Sequence, residues 1–581
     1  MAGVKNLLRA AVAVPLLLLT GACGNDEPAP TATTATSAPA ASPSLAEPSA
    51  SAGLVINADP EARAAEVVTR LSDEDLAGQV LMPYAYGSYA TSVDKAAASG
   101  NQTLAGVNTP AEMIEKYRLG GLILVGFTPD DPTGDTNPTT NVENPKQVRE
   151  LTRGLQQAAL KLPAAAPLMI GTDQEYGVVT RITEGVTLLP SAMAAGAAGQ
   201  PSLTEVAWRA AGEELAAMGI TVDFAPVADT LSAKGGGLIG SRSFGSDAKA
   251  NATQVTAAVR GLQGAGVTAT LKHFPGHGHT SGDSHDELPV IKQSRKDWES
   301  QDLPPFRSGI EAGAGVVMSG HLDLEAVDKG TAATFSHKIM TDVLRKQLKF
   351  TGVAISDAMN MAPAKKWPAG EAAVRALNAG NDMLLMPPDI AGARDGIVAG
   401  LKSGSLKRER LVEAVTRILT LKFRTEIRNQ PGLDVIGSAA HARSVGALDA
   451  ASITVLRGKC SGPLINGGVT VTAPASRELA RVNLVRALQD AGVKVQADNG
   501  AKIRLVGYGD SQVDLDDSAA ITVMMDAPSL LGLSRSPTLI ATYSSSKLSL
   551  TALAAVIAGK AKAPGRSPIE VPGLKRSACV K

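Results

Sequence analysis

Between Leu271 and Pro289 the chain reads LKHFPGHGHTSGDSHDELP, which sets four of its seven histidines among three acids and three glycines. Three chemistries suit that composition. His273, His277, His279 and His285 with the Asp283 carboxylate are metal-ligand types, but Pro275, Gly276 and Gly278 exclude the helix that i, i+4 ligands need, so only a loop site without a recognised spacing is left. The second reading is structural: His277 and His279 lie inside the bend, and satisfying backbone groups there is the role favoured for them. In the third, Asp283 and His285 form a proton-transfer pair, the carboxylate fixing the tautomer of an imidazole that titrates near neutrality. That pair needs a nucleophile. The chain has no G-x-S-x-G elbow and no nucleophilic cysteine, and Asp357, at the end of the apolar run GVAISDAM, is the best candidate. Capping the next helix explains Asp357 equally well from position alone.

The elements that must carry these residues alternate from about residue 70 to 425. Apolar runs such as GGLILVGF, PLMIGTDQE, VTATLKHFPG, AGVVMSGH and GVAISDAM are separated by amphipathic stretches such as QVRELTRGLQQAALK and LTEVAWRAAGEELAAMG. That rhythm predicts a parallel sheet. Each run ends in polar chemistry: Asp173 and Glu175, Asp229, Lys272 and His273, His321, Asp357. A (β/α)8 TIM barrel builds its site from the ends of many strands, whereas an open doubly wound sheet gathers ligands at one switch point, so the barrel is expected. Seven strands are clear in the sequence, and an eighth is required. Without a G-x-G-x-x-G fingerprint or a P-loop, dinucleotide and NTP chemistry are not expected. After NQPGLDVIGS a second, smaller α/β sandwich domain is expected over 440–581, with no histidine or convergent constellation at its strand ends and so no catalytic role.

Ahead of the barrel, Lys5 and Arg9 precede a short apolar run that ends LLLLTGAC, an export signal too short to span a membrane. Residues 1–22 are read as the leader of a lipoprotein with Cys23 as its lipidated first residue, 23–53 as a Pro/Ala/Ser/Thr tether, and 54–430 as the barrel. The protein is then expected to be exported and lipid-anchored at the outer face of the cell membrane. In such a compartment the other two cysteines, Cys460 and Cys579, can pair. With 56 basic against 56 acidic residues there is no broad field for nucleic acid.

The runs KHFPGHG, DSH and SDAM, together with LSDEDLAGQVLM, GGLILVGF, TDQE, FAPVAD, GSRSFG, DLPPF and AGNDMLLMP in this order, cover roughly residues 65–425. They resemble glycoside hydrolase family 3, and within it the β-N-acetylglucosaminidases; with the cysteine leader the chain looks like an actinobacterial cell-wall lipoprotein. The resemblance implies a retaining exo-glycosidase on a TIM barrel that releases terminal GlcNAc from peptidoglycan-derived saccharides, without metal or organic cofactor. Asp357 matches the family nucleophile, His285 the acid/base and Asp283 its orienting carboxylate. In most retaining enzymes two carboxyl groups about 5 Å apart share this work. Asp173, Arg181, Arg242, Lys272 and His273 match sugar-binding positions; buried ion pairing is the plainer role for Arg181 and Lys272, and packing at a strand end for His273. Where the family reads two glycines and an arginine, this chain has DQEYGVV, so Tyr176 and Val178 are expected to narrow the pocket or alter the aglycone side. Phosphate as acceptor, and a non-enzymatic wall-sugar-binding lipoprotein, are the alternatives.

Overall fold

The computed structural model describes residues 59–580 apart from 129, 135–136, 234–236, 281, 283 and 426–429. The leader, Cys23, the tether and Asp283 therefore lie outside the described residues.

Eight parallel strands form the first sheet: β1 (Leu81–Met82), β2 (Gly121–Leu124), β3 (Met169–Thr172), β4 (Val222–Asp223), β5 (Thr268–Phe274), β6 (Val316–Ser319), β7 (Val353–Ser356) and β8 (Leu384–Leu385). Six of them, β2 to β7, pair in chain order. The ends close on one another. β1 pairs with β8, Leu81 opposite Leu384, Ile355 bridges to Met383, and Ile123 N donates to the Pro83 carbonyl at 3.0 Å. The strand missing from the sequence reading is thus β1: two residues directly after the helix Asp73–Gln79, too short to show a period of two.

Every residue of β2, β3, β6 and β7 is buried, as expected of strands covered by helices on one face and by barrel core on the other. Helix ends are fixed locally, for instance by the capping boxes Ser72/Asp75 and Thr109/Glu112. Below the strands a single buried carboxylate, Asp382, takes Arg345, Arg410 and Arg417, and also accepts the Ala354 N–H at 2.9 Å. This pins the lower ends of β7 and β8.

The second sheet has five strands, β9 (Thr454–Arg457), β10 (Val469–Thr472), β11 (Ala501–Val506), β12 (Ile521–Met524) and β13 (Thr538–Ala541), in the order β9-β13-β12-β11-β10, with only β9 antiparallel. One face buries Ile503, Leu505, Val523 and Ile540 with Leu484 and Leu553 of the helices Glu478–Asp490 and Lys547–Ile557. On the other, Val506, Met524 and Leu539 pack with Met193, Val227 and Ile239 of the barrel. Each fully buried aliphatic side chain contributes about 1.5–3 kcal/mol relative to exposure, so this face is a firm seam. The boundary expected near 440 falls inside a shared element: helix Ala439–Ser452 packs on barrel helices and on Lys547–Ile557, and the sheet starts only at Thr454. Cys460 and Cys579 are joined in a disulfide, as expected.

Candidate active site

The upper ends of β3, β5 and β7 open into one cavity whose walls include Asp173, Glu175, Arg181, Arg242, Lys272, His273, His285 and Asp357. Seven of the eight residues expected at the site meet here; the eighth, Asp283, is outside the described residues.

Asp357 follows β7 directly. Its N–H donates to the Ser319 carbonyl at 2.9 Å, and its Oδ1 accepts from the next N–H, Ala358, at 2.8 Å. No helix begins there, and Ser356 Oγ is turned away to accept from Leu385 N, so the capping role is not what the carboxylate does. Burial would raise the Asp357 carboxyl, but the imidazoles of His273 and His321, the Ala358 N–H and then His285 outweigh it and hold it below the ordinary carboxylate range. It is an ionised carboxylate facing the cavity. His285, on the loop after β5, lines the same cavity, and its backbone is tied to the next wall by Ala362 N donating to the His285 carbonyl at 3.3 Å.

Consecutive residues of a regular strand face opposite ways, yet Lys272 and His273 both line the cavity. The reason is a bulge: Leu271 pairs with Val317 but Phe274 with Ser319, so β5 spends three steps where β6 spends two. Lys272 Nζ then reaches Asp173 Oδ1 at 2.7 Å and Glu175 Oε1 at 2.6 Å. Burial lowers the ammonium's pKa, but the two carboxylates more than restore it. Arg242 grips Glu175 in a two-pronged pair, Nε to Oε2 at 2.7 Å and Nη2 to Oε1 at 2.8 Å. Against a burial effect of opposite sign, Arg242 and Lys272 hold the Glu175 carboxyl far below its usual range.

Arg181 pairs with Asp131, donates to Thr133 Oγ1 at 2.8 Å and reaches Asp173 Oδ2 at 3.4 Å. The plainer ion-pair role foreseen for Arg181 and Lys272 is therefore met at the same time as their place on the cavity wall. His273 Nδ1 is 2.8 Å from Asp229 Oδ2, and Asp229 Oδ1 accepts the N–H groups of His273 and His277 at 3.0 and 2.8 Å. One aspartate of the loop after β4 thus fixes the backbone of the histidine loop.

His277 and His279 behave as loop formers: His277 bonds Thr280 Oγ1 at 2.7 Å and Ser284 Oγ at 3.2 Å, and His279 bonds Asp302 Oδ1 at 3.0 Å. Among the described residues no three His, Cys, Asp or Glu side chains converge as a metal site. Burial, helped by the neighbouring His273 charge, pushes His277 down to about 4. A histidine lowered from its unfolded value of about 6.5 contributes stability that is complete above that pH and is lost as pH falls through the folded value. Between pH 6.5 and 4 the loss attributable to His277 is expected to be about 3 kcal/mol. Urea unfolding of the parent and His277→Gln across that window checks it; parallel pH slopes would remove His277 as the cause.

Tyr176 does not narrow the cavity as expected. Its ring is buried edge-on against Trp208, with centroids 5.8 Å apart, and neither it nor Val178 lines the wall. Its backbone is left-handed, φ 66°, followed by Gly177 at φ 70°. That is the conformation for which glycine carries no steric cost.

Glu175, Asp229, Asp131 and Thr133 were given no site role from sequence. Glu175 and Asp229 were visible as acids closing apolar runs; Asp131 and Thr133 lie in an irregular loop with no periodicity to mark them.

Residues 89–421 match the glycosyl hydrolase family 3 N-terminal domain. The chain is 34% identical over 383 residues to β-hexosaminidase A of Pseudoalteromonas piscicida, covering 60% of this chain and 61% of that protein. It is 37% identical over 267 residues to a β-hexosaminidase of Haemophilus influenzae, covering 45% and 72%. In structure it is similar to a family 3 β-N-acetylglucosaminidase from Paenibacillus sp. str. FPU-7, with a TM-score of 0.74 at 29% identity, covering 86% of this chain and 99% of that one.

Proposed function

Because this chain belongs to glycosyl hydrolase family 3, we propose that it is a β-N-acetylhexosaminidase that releases terminal GlcNAc with retention of configuration, and that Asp357 and His285 carry the reaction. The reading is supported above all by an ionised carboxylate and an imidazole on the walls of one cavity whose remaining polar lining is a fixed lattice of donors and acceptors.

Asp357 attacks the anomeric carbon as the bond to the aglycone oxygen breaks, and His285 as imidazolium gives that oxygen its proton. The glycosyl-aspartate is then hydrolysed by a water whose proton returns to His285. Asp173, Lys272, Arg181 and Arg242 hold the ring while the charge on carbon grows, so that orientation is settled before the chemistry. Asp283 is proposed to orient the His285 ring. A neutral histidine at this position also places no second negative charge beside an anionic aglycone, which suits the carboxylate-bearing sugars of peptidoglycan fragments as substrates.

The same proposal puts the protein outside the cell membrane with a lipid on Cys23, supported by the basic, apolar leader and by a Cys460–Cys579 disulfide of the sort that persists in oxidising compartments. Proton NMR of the first product formed from an aryl β-GlcNAc glycoside tests the reaction. β-GlcNAc is expected; the α anomer first, or no release, overturns it, and sugar phosphate formed on adding phosphate would make the enzyme a phosphorylase.

A further inference from the structure

Among the described residues no side chain of the second domain lines the cavity, yet that domain holds both loops on which the sugar-facing arginines depend. The first loop follows β2. Its Asp131 and Thr133 clamp Arg181, and the adjacent Asp130 pairs with Arg477 of the second domain. Arg477 is 7% exposed and is itself fixed by Asp510 at 3.3 Å and the Tyr508 carbonyl.

The second loop, described over 228–233 and 237–246, carries Asp229 and Arg242. Ser241, next to Arg242, donates to Asp526 at the end of β12. The C-terminal tail runs along the same loop: Glu570 N donates to the Ala233 carbonyl at 3.1 Å, and Ser246 N to the Pro568 carbonyl at 3.2 Å. Beneath them Leu231 and Ile239 are buried with Met524 and Leu531. Burial raises the Asp526 carboxyl; the Ser241 hydroxyl, the Ala527 N–H and then the Arg477 charge oppose that rise, and Asp130 adds to it.

Each β3 acid thus depends on an arginine whose own loop is backed by the second domain: Asp173 through Arg181, Glu175 through Arg242. Building on the hexosaminidase reading of the cavity, we infer that Arg477 and Asp526 are positioning residues of the sugar subsite, holding segments 130–133 and 238–242 at the spacing a hexosamine ring requires. A loop ordered in the free protein does not have to be ordered when sugar binds, so losing the brace weakens binding more than it slows the bound substrate's chemistry.

The test uses the full-length protein with Asp526→Ala, Asp526→Asn, Arg477→Ala and Arg477→Lys. Asn keeps an acceptor for Ser241, and Lys keeps a charge for Asp130. For the alanine variants KM on an aryl β-GlcNAc glycoside is expected to rise about tenfold while kcat stays within about threefold. Their amides at 130–134 and 238–246 should exchange faster in deuterium oxide without substrate, and the Asn and Lys variants should recover most of both effects. A parent-like KM overturns the inference. So does a loss of activity that comes with a lower Tm and faster exchange throughout the barrel helices, which would mark a purely structural role. If the parent itself releases no GlcNAc, the functional reading fails, while exchange at the two loops still decides the positioning.

Discussion

Asp357→Asn is expected to lower kcat on an aryl β-GlcNAc glycoside by about 10⁵-fold, in the range seen when a covalent nucleophile is removed from an otherwise intact site. The amide keeps the volume of the carboxylate and its bond from the Ala358 N–H, so Tm should scarcely move and the deficit can be assigned to chemistry. What disappears is the electron pair that attacks carbon. With Asp357→Gly, which leaves room beside Ser356 and Ala358, azide should restore part of the rate and yield an α-glycosyl azide, because an external anion then attacks from the face the carboxylate occupied. A variant within tenfold of the parent, or azide rescue giving the β product, would falsify the nucleophile assignment.

His285→Ala is expected to cost about 10²–10⁴-fold, the usual weight of a positioned general acid, with a diagnostic dependence on the leaving group. A sugar alcohol leaves only as its oxygen is protonated, so a disaccharide should show the full loss. A dinitrophenolate needs no proton, and with that aglycone the first step should be nearly normal, leaving slow hydrolysis of the glycosyl-aspartate as the limit. A burst of aryl release followed by slow turnover is the signature. The basic limb of the pH profile, set by deprotonation of the acid, should vanish in the variant. Equal losses for good and poor leaving groups would remove His285 from proton transfer.

How much of this was legible in the sequence depended on whether the information was local. Lys272, His273 and Asp357 end long apolar runs, and the barrel follows from five such polar endings among seven runs. β1 was invisible because two residues carry no periodicity; it is a strand only because Leu384 and Leu385 lie beside it. The bulge that turns both Lys272 and His273 inward depends on the register of β6. Tyr176 misled for a related reason: a large side chain next to Asp173 in sequence was expected to reach the cavity, but a left-handed backbone sends it to Trp208. The second domain carries no catalytic role in the sequence reading, and the bearing proposed for it on the site runs through pairs such as Arg477 with Asp130, 347 positions apart, which no local pattern marks.

The described chain starts on the side of the barrel away from the cavity. Helix Pro60–Thr69 lies along helix Arg408–Arg424, with Glu61 paired to Arg424, and Glu61 shares a hollow with Val267, Gly315 and Gly352 at the beginnings of β5, β6 and β7. Changes made around that hollow therefore fall at the amino ends of the strands, and leave untouched the mouth that Asp357 and His285 line at the opposite ends.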